Sequence, residues 1–312
     1  MKSNGLPKLY MMIGLPGSGK STFAETIGNN ETIILSSDKL RNELYSDEND
    51  QKHNTEVFKI LHERARKNLL AGRDVVYDAT NINKKQRADF LKSIDDIQCN
   101  KEAVCMMTPY KSCLKFNEGR DRFVPEHVID RMYKKWNPPH GSEGFDRIQF
   151  VFNDCNERMY NLYDLFYGRN GIMYFDQETH FHNLTLGNHC VYTEMLIRDK
   201  FPDNIELQYA ALLHDIGKVY TKSFLSSDGK TKDKEAHYYF HNCVSAYESA
   251  FYSFYHEFSA YNIAHIANVI YYHMRPYFAW KDRKKEERDR IAIGEEIHKD
   301  VIRLHYADVA AH

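Results

Sequence analysis

The chain has 312 residues and no run of eighteen or more apolar ones, so no membrane-spanning helix, and no membrane partner, is expected. Its opening residues, Met1-Lys2-Ser3-Asn4-Gly5, lack the apolar core of a signal peptide. There is no C-x-x-C pair. The six cysteines (Cys99, Cys105, Cys113, Cys155, Cys190, Cys243) are scattered and read as reduced thiols of a cytoplasmic protein. An excess of one charge is also missing. Forty-two Lys and Arg stand against 44 Asp and Glu, a formal net charge of −2. A nucleic-acid partner would therefore bind a local patch rather than a global basic field. Internal repeats and low-complexity tracts are absent, and 42% hydrophobic with 28% charged residues is ordinary globular composition.

What is present is unevenly placed. Of sixteen histidines, four precede residue 150 and twelve follow it. The first half alternates apolar strand candidates, Leu9–Ile13, Thr32–Leu35, Asp74–Tyr77, Ala103–Met107 and Ile148–Phe152, with charged helical stretches. That alternation predicts an α/β domain with a parallel sheet. After Phe152 the strand pattern ends. Helical periodicity takes over at Glu206–Leu213, His241–Phe258, Tyr261–Tyr272 and Asp289–Ala310, which predicts an all-α second domain. Tyr167-Gly168-Arg169-Asn170-Gly171 marks a hinge, and Lys281–Arg290 a solvated loop or helix face. The expected organisation is a first domain over 1–152, a linker helix and hinge over 153–174, and a second domain over 175–312.

Residues 14–21 spell Gly14-Leu15-Pro16-Gly17-Ser18-Gly19-Lys20-Ser21 between an apolar run and a helical stretch starting at Thr22. Glycines at those places let successive backbone N–H groups curl around a phosphate at a helix N-terminus. Lys20 would reach the β- and γ-phosphates of ATP or another NTP, and the Ser21 hydroxyl would ligate Mg²⁺. Asp38 follows the second strand, where α/β sheets place ligands. It could act as general base toward an attacking hydroxyl, or Ser37 or Asp38 could simply cap the helix Lys39–Tyr45. Arg41, three residues on, could clamp an acceptor phosphate. Asp78 ends another strand, either as a metal-associated acid or as a turn-capping residue. Arg120 and Arg122 lie on a connection before a helix from His127 to Lys135, where an arginine could cover a γ-phosphate.

These strings, G-L-P-G-S-G-K-S-T, S-S-D-K-L-R, D-A-T-N-I-N, N-E-G-R and V-P-E-H-V-I-D-R-M-Y, resemble the phage-type 5′-hydroxyl polynucleotide kinases over residues 9–152. The resemblance implies Asp38 as general base and Arg41 as acceptor-phosphate ligand. It implies Arg120 as the lid arginine, with Arg122 a near competitor. The nucleotide-binding set is then Gly17, Ser18, Gly19, Lys20, Ser21, Thr22, Asp78 and Arg122. Related small P-loop kinases act on small hydroxylated substrates, so phosphoryl transfer is more secure than the acceptor.

In the second half, Leu186-Gly187-Asn188-His189, Leu213-His214-Asp215-Ile216-Gly217-Lys218, His241, His273 and Leu304-His305-Tyr306-Ala307-Asp308 stand out. Imidazoles with carboxylates and no thiolate favour Mn, Fe, Co, Ni or Zn. Adjacent residues diverge by about 100° on a helix, so His214 and Asp215 can share a cation only near a helix end. Gly217 suits such an end. His180, His182, His237, His256, His265, His298, His305 and His312 read as packed or surface residues, although His237 could share a helix face with His241. Tyr238, Tyr239, Tyr271, Tyr272 and Tyr277 could stack bases or fill a helical core.

The ordered set over about 175–312 resembles the HD-domain metal phosphohydrolases. That resemblance implies His189, His214, Asp215 and Asp308 as ligands of a first metal. His241 and His273 match the extra histidines of members with a second, and Lys218 matches a basic residue contacting substrate phosphate. Four residues follow Asp308, a short tail for such a domain. Together the halves point to an end-healing enzyme that phosphorylates 5′-hydroxyl polynucleotide ends and removes 2′,3′-cyclic or terminal 2′/3′ phosphates. It would act on RNA ahead of DNA, with an NTP donor and a nucleic-acid ligase acting downstream. Two alternatives remain open: a small-metabolite or nucleoside kinase joined to an HD nucleotide phosphohydrolase, and a nucleotide-sensing module without catalysis.

Overall fold

A computed structural model describes residues 5–120, 122–180 and 182–311; His312 lies outside them. The described chain forms two compact units. The first comprises residues up to 132 with 139–155, the second 133–138 with residues from 156 onward.

The first unit is built on five parallel strands, β1 (Lys8–Ile13), β2 (Ile33–Ser36), β3 (Val75–Asp78), β4 (Asn100–Met107) and β5 (Arg147–Phe152), in spatial order β2-β3-β1-β4-β5. Helices α1 (Lys20–Ala24), α2 (Ser37–Tyr45), α3 (Asn54–Leu70), α4 (Lys84–Lys92), α5 (Tyr110–Glu118) and α6 (Glu126–Tyr133) accompany them. All five strands expected from apolar runs are present, and β4 starts three residues early at Asn100. The runs are continuous because central parallel strands are covered on both faces. Met12, Val76, Val104 and Met106 meet Ala24 in one buried cluster. In the order of strands, β1 lies between β3 and β4, so the chain leaves its carboxyl end where the crossovers diverge. That is where α/β sheets receive ligands.

The second unit contains α7 (Leu162–Tyr167), α8 (Leu186–Lys200), α9 (Ile205–Leu213), α10 (Lys218–Thr221), α11 (His241–Tyr255), α12 (Ala260–Tyr272), α13 (Arg283–Ile293) and α14 (Glu295–Ala310). It is not purely helical. Strands β6 (Ser223–Leu225) and β7 (Lys232–His237) pair antiparallel across a polar turn. Their short, charged sequence hid them from an apolar-run criterion. His237 therefore ends a strand and shares no helix face with His241. The helix expected over 289–310 is two helices, broken at Gly294. Lys281–Arg290 runs into α13, where Arg290 pairs with Glu287 and Glu295. Tyr167 ends α7, and a short turn at Ile172–Tyr174 follows Gly171. Among the described residues no helix is long and apolar enough to cross a membrane, and none of the six cysteines forms a disulfide.

Candidate active sites

The loop between β1 and α1 is shaped by Gly17, whose φ is 78° and where a Cβ would sit 2.2 Å from the Cys113 carbonyl oxygen. Only glycine tolerates both the angle and the approach. Ser18 is buried, and its carbonyl accepts a bond from Thr108 Oγ1 at 2.9 Å. Lys20 opens α1 with its ammonium donating to the Leu15 carbonyl at 2.7 Å. Burial pushes that ammonium below its usual pKa. Ser21 Oγ donates to Asp78 Oδ2 at 2.8 Å, which puts the loop hydroxyl beside the acid at the end of β3.

Asp38 stands in the first turn of α2. The N-cap is Ser36, whose Oγ accepts from the Lys39 N–H, so neither Ser37 nor Asp38 is needed as the cap. Three guanidiniums converge on Asp38: Arg41 at 3.0 Å, Arg120 at 3.9 Å, and Arg122 in direct contact. Arg41 is only 4% exposed, its other terminal nitrogen donates to Asn54 Oδ1 at 2.7 Å, and it is not among the residues lining either cavity described below. Both of its terminal nitrogens are engaged inside the protein, so the structure places Arg41 against Asp38 and Asn54 rather than in the cavity where it was expected to clamp an acceptor phosphate. The segment carrying Arg120 and Arg122 is tied at its base by Asn117. Its amide donates to the Val124 carbonyl at 2.8 Å and accepts from the Val124 N–H at 3.1 Å. Asn117 was missed at the sequence level because its partner lies across a loop.

Two cavities flank the loop. One of about 510 Å³ is lined by Gly17, Gly19, Lys20, Thr22, Phe116 and Phe152 among others. The second, about 640 Å³, contains Asp38, Asp78, Arg122, Phe123 and Arg131. Lys20, Ser21 and Arg120 line both, whereas Arg122 lines only the second.

In the second unit, five elements bring six side chains together. His189 comes from α8, His214 and Asp215 from the end of α9, His241 from the first position of α11, His273 from the end of α12, and Asp308 from α14. None is more than 7% exposed. Asp215 Oδ2 lies 3.6 Å from His189 Nε2 and 3.4 Å from His214 Nε2, while Oδ1 lies 3.1 Å from His241 Nε2 and 3.6 Å from His273 Nε2. Asp308 Oδ1 reaches His189 Nε2 at 3.1 Å. Asp215 thus lies between two imidazole pairs.

The donor set fits divalent cations. The Nδ1 atoms of His214, His241 and His273 face the carbonyls of Ala211, Tyr238 and Ile270 at 2.8, 2.7 and 2.6 Å. A carbonyl only accepts, so Nδ1 carries the proton and the Nε2 lone pair points inward. Nε2 atoms then face each other at 3.2 Å (His189–His214) and 3.3 Å (His241–His273). Facing lone pairs repel unless a proton or cation lies between them. Burial disfavours charge on His214, but Asp215 and Asp308 outweigh it and raise its pKa to about 9. Burial opposes ionisation of Asp215, yet Lys218 and His214 hold it well below the carboxylate range. The two carboxylates call for positive charge, which a cation can supply in place of that proton.

α9 ends at Leu213 with His214 as its C-cap, so the His214-Asp215 pair does lie at a helix end, and Gly217, with φ −63°, is the N-cap of α10. A Cβ there would lie 2.3 Å from the His241 carbonyl oxygen; the glycine lets α10 approach α11 beside His241. Lys218 is buried, its ammonium 2.7 Å from Asp215 Oδ2 and 2.8 Å from Gln177 Oε1. It neutralises the bridging carboxylate and does not stand ready for a substrate phosphate as expected. His182, expected as a packed or surface residue, lies 3.1 Å from that ammonium. His180, His237, His265 and His298 pair with Glu235, Asp233, Asp300 and Glu286. Tyr277 donates to Asp308 Oδ2 at 2.9 Å, Tyr238 to the Gln177 carbonyl at 2.5 Å, and Tyr272 is buried. Tyr239 is partly exposed and stacks on His237.

Residues 9–139 match the family model described as AAA domain. The chain is 26% identical over 160 residues to an L-seryl-tRNA(Sec) kinase of Methanococcus maripaludis, covering 49% of this chain and 62% of that protein. It is 27% identical over 165 residues to transcription factor bHLH140 of Arabidopsis thaliana, covering 50% of this chain and 17% of that one. The chain thus spans under two thirds of the length of either relative. Among solved structures, a chain of the Pnkp1/Rnl/Hen1 RNA repair complex superposes with TM-score 0.38 at 22% identity, over 42% of this chain and 44% of the other. Residues 9–139 form a kinase-like P-loop domain on a parallel sheet.

Proposed function

We propose that the protein heals nucleic-acid ends with two sites: ATP-dependent phosphorylation of 5′-hydroxyl polynucleotide ends in the first unit, and cation-dependent removal of 2′,3′-cyclic or terminal 2′/3′ phosphates in the second. The observation that carries the kinase reading is one cavity containing Lys20, Ser21 and Asp38. A carboxylate and a phosphate-binding loop facing one space are what transfer to a hydroxyl requires. The likeness to an L-seryl-tRNA(Sec) kinase supports a hydroxyl acceptor carried on RNA.

In this reading the smaller cavity takes the NTP donor. Gly17, Ser18, Gly19 and Thr22 cradle its phosphates, and Lys20 turns from the Leu15 carbonyl onto them. Ser21 and Asp78 would hold Mg²⁺, which when bound offsets phosphate charge. Asp38 takes the proton of the acceptor hydroxyl while its oxygen bonds to the γ-phosphorus and ADP leaves. Arg120, lining both cavities, stabilises charge on the transferring group. Arg122 serves the acceptor side. Arg41 positions Asp38 through the 3.0 Å pair.

In the second unit His189, His214, Asp215 and Asp308 would hold one divalent cation (Mn, Fe, Co, Ni or Zn), and Asp215, His241 and His273 a second. Two such ions supply Lewis acidity to water attack on a phosphate ester and to the departing oxygen. Lys218 keeps Asp215 ionised. This is the arrangement expected of an HD phosphohydrolase, and a ligase acting downstream would use the healed ends.

Short oligonucleotides differing only in their 5′ and 3′ ends test the reading. Label from γ-labelled ATP should pass to 5′-hydroxyl ends and not to free nucleosides. Phosphate should leave 2′,3′-cyclic or 3′-phosphate ends only with a divalent transition metal. Transfer to nucleosides alone would replace the polynucleotide acceptor with a small one.

A further inference from the structure

The cavity beside Asp38 has two wall residues for which phosphoryl transfer itself has no use. Phe123 is a large apolar side chain 54% exposed to solvent. It follows Arg122, which pairs with Asp38, and precedes Val124, whose N–H and carbonyl are both held by Asn117. The ring is therefore carried on backbone fixed within one residue, not on a free loop tip. Arg131 lies one turn into α6, exposed, and lines the same cavity. Among the described residues no ion pair or hydrogen bond is recorded for its guanidinium. An exposed aromatic face and an uncommitted guanidinium beside one cavity match the two chemistries that a nucleic-acid strand repeats, a base and a phosphodiester. The neighbouring amides of Asn49 and Gln51 add hydrogen-bonding groups without charge. A neutral hydroxylated metabolite would use neither the ring nor the cation.

We propose that Phe123 and Arg131 form a strand-binding extension of the acceptor cavity, Phe123 stacking on the 5′-terminal base and Arg131 pairing with the first phosphodiester. This rests on the first unit being a kinase of polynucleotide ends. It makes the phosphodiester, through Arg131, part of what separates an oligonucleotide from a nucleoside. Stacking of a base on an aromatic ring contributes enough for roughly a tenfold effect on binding, and one phosphate contact contributes a charge-assisted bond that weakens with salt.

The test uses the full-length protein and steady-state transfer to four 5′-hydroxyl acceptors: an oligonucleotide, the same strand abasic at its first residue, the same strand with an uncharged methylphosphonate at its first linkage, and the free nucleoside. Phe123→Ala should raise the oligonucleotide KM about tenfold, leave the KM for ATP in place, and have little further effect on the abasic strand. Phe123→Tyr should restore the wild-type KM. Arg131→Gln should raise KM for the ordinary strand and not for the methylphosphonate. If oligonucleotides are phosphorylated but the abasic and methylphosphonate strands match the ordinary one in the wild type, the extension does not exist. The same conclusion follows if both variants act on the ATP KM alone. Transfer to no oligonucleotide at all overturns the polynucleotide-end reading of the kinase, and this inference with it.

Discussion

Asp215 places its two oxygens toward different imidazole pairs, and Tyr277 fixes the other carboxylate by donating to Asp308 Oδ2 at 2.9 Å. Burial and Asp308 both raise the Tyr277 pKa, so the phenol keeps the proton it donates. Tyr277→Phe removes that bond without altering shape. It should weaken divalent-metal binding about tenfold, the lower end for loss of an outer partner of a ligand, as measured by competition against a chelator of known affinity. Unchanged affinity would remove Tyr277 from the site. Residue identity was legible where chemistry demands a type: Lys20 and Ser21 in the phosphate loop, and His214-Asp215 at a helix end. What each side chain touches was not. Arg41 and Lys218 were read as hands for a substrate phosphate, yet carboxylates of the protein, Asp38 and the buried Asp215, already hold them. A guanidinium or ammonium looks the same in sequence whether it faces substrate or protein.

At the scale of elements, α10 and α11 meet at Gly217, where a Cβ would also lie 2.6 Å from the Ser245 backbone nitrogen. Gly217→Ala should push the helices apart, destabilise the second unit by about 2 kcal/mol, as overpacking does, and lower metal content by displacing His241. Metal analysis with thermal unfolding checks both; a variant as stable and as metal-rich as the wild type would contradict the packing argument. Further along α11, Glu248 is buried and accepts from Tyr133 Oη at 2.5 Å within the second unit. Burial raises its pKa from 4.5 to about 7, against the opposing effect of that bond. The folded protein therefore keeps this proton between pH 4.5 and 7 while the unfolded chain loses it. Stability from this group is full below pH 4.5 and declines as pH rises through 7, by about 3 kcal/mol in all. Glu248→Gln should flatten that slope in urea unfolding followed from pH 4.5 to 8. A slope identical to the wild type would exclude Glu248 as its source. The sequence showed α11 through its apolar period. It did not show that Tyr133 and Trp136, more than a hundred residues earlier, pack on Tyr247 of that helix. Nor did it show the β6–β7 hairpin, whose strands carry charge on a solvated ribbon.

Across the whole molecule, the α/β first half was legible because a parallel sheet buried on both faces writes continuous apolar runs, and because the phosphate loop has one structural context. The second half was legible as helices and as a histidine-rich set. Its six buried side chains come from five elements spread over 120 residues, from His189 to Asp308, and only folding shows that Asp215 lies between the two pairs. The two sets of chemistry share no residue, so they should fail separately. Chelation should stop phosphate release, and restoring a transition ion after dialysis should recover it. The most direct measurement is a paired assay on one RNA oligonucleotide bearing a 5′-hydroxyl and a 2′,3′-cyclic phosphate, using wild-type, Asp38→Ala and Asp215→Ala proteins. The account predicts that Asp38→Ala loses 5′ labelling by at least a hundredfold, the scale of losing a general base, and keeps 3′-end hydrolysis, with Asp215→Ala the reverse. Loss of both activities in either folded variant, or 5′ labelling intact in Asp38→Ala, would contradict it.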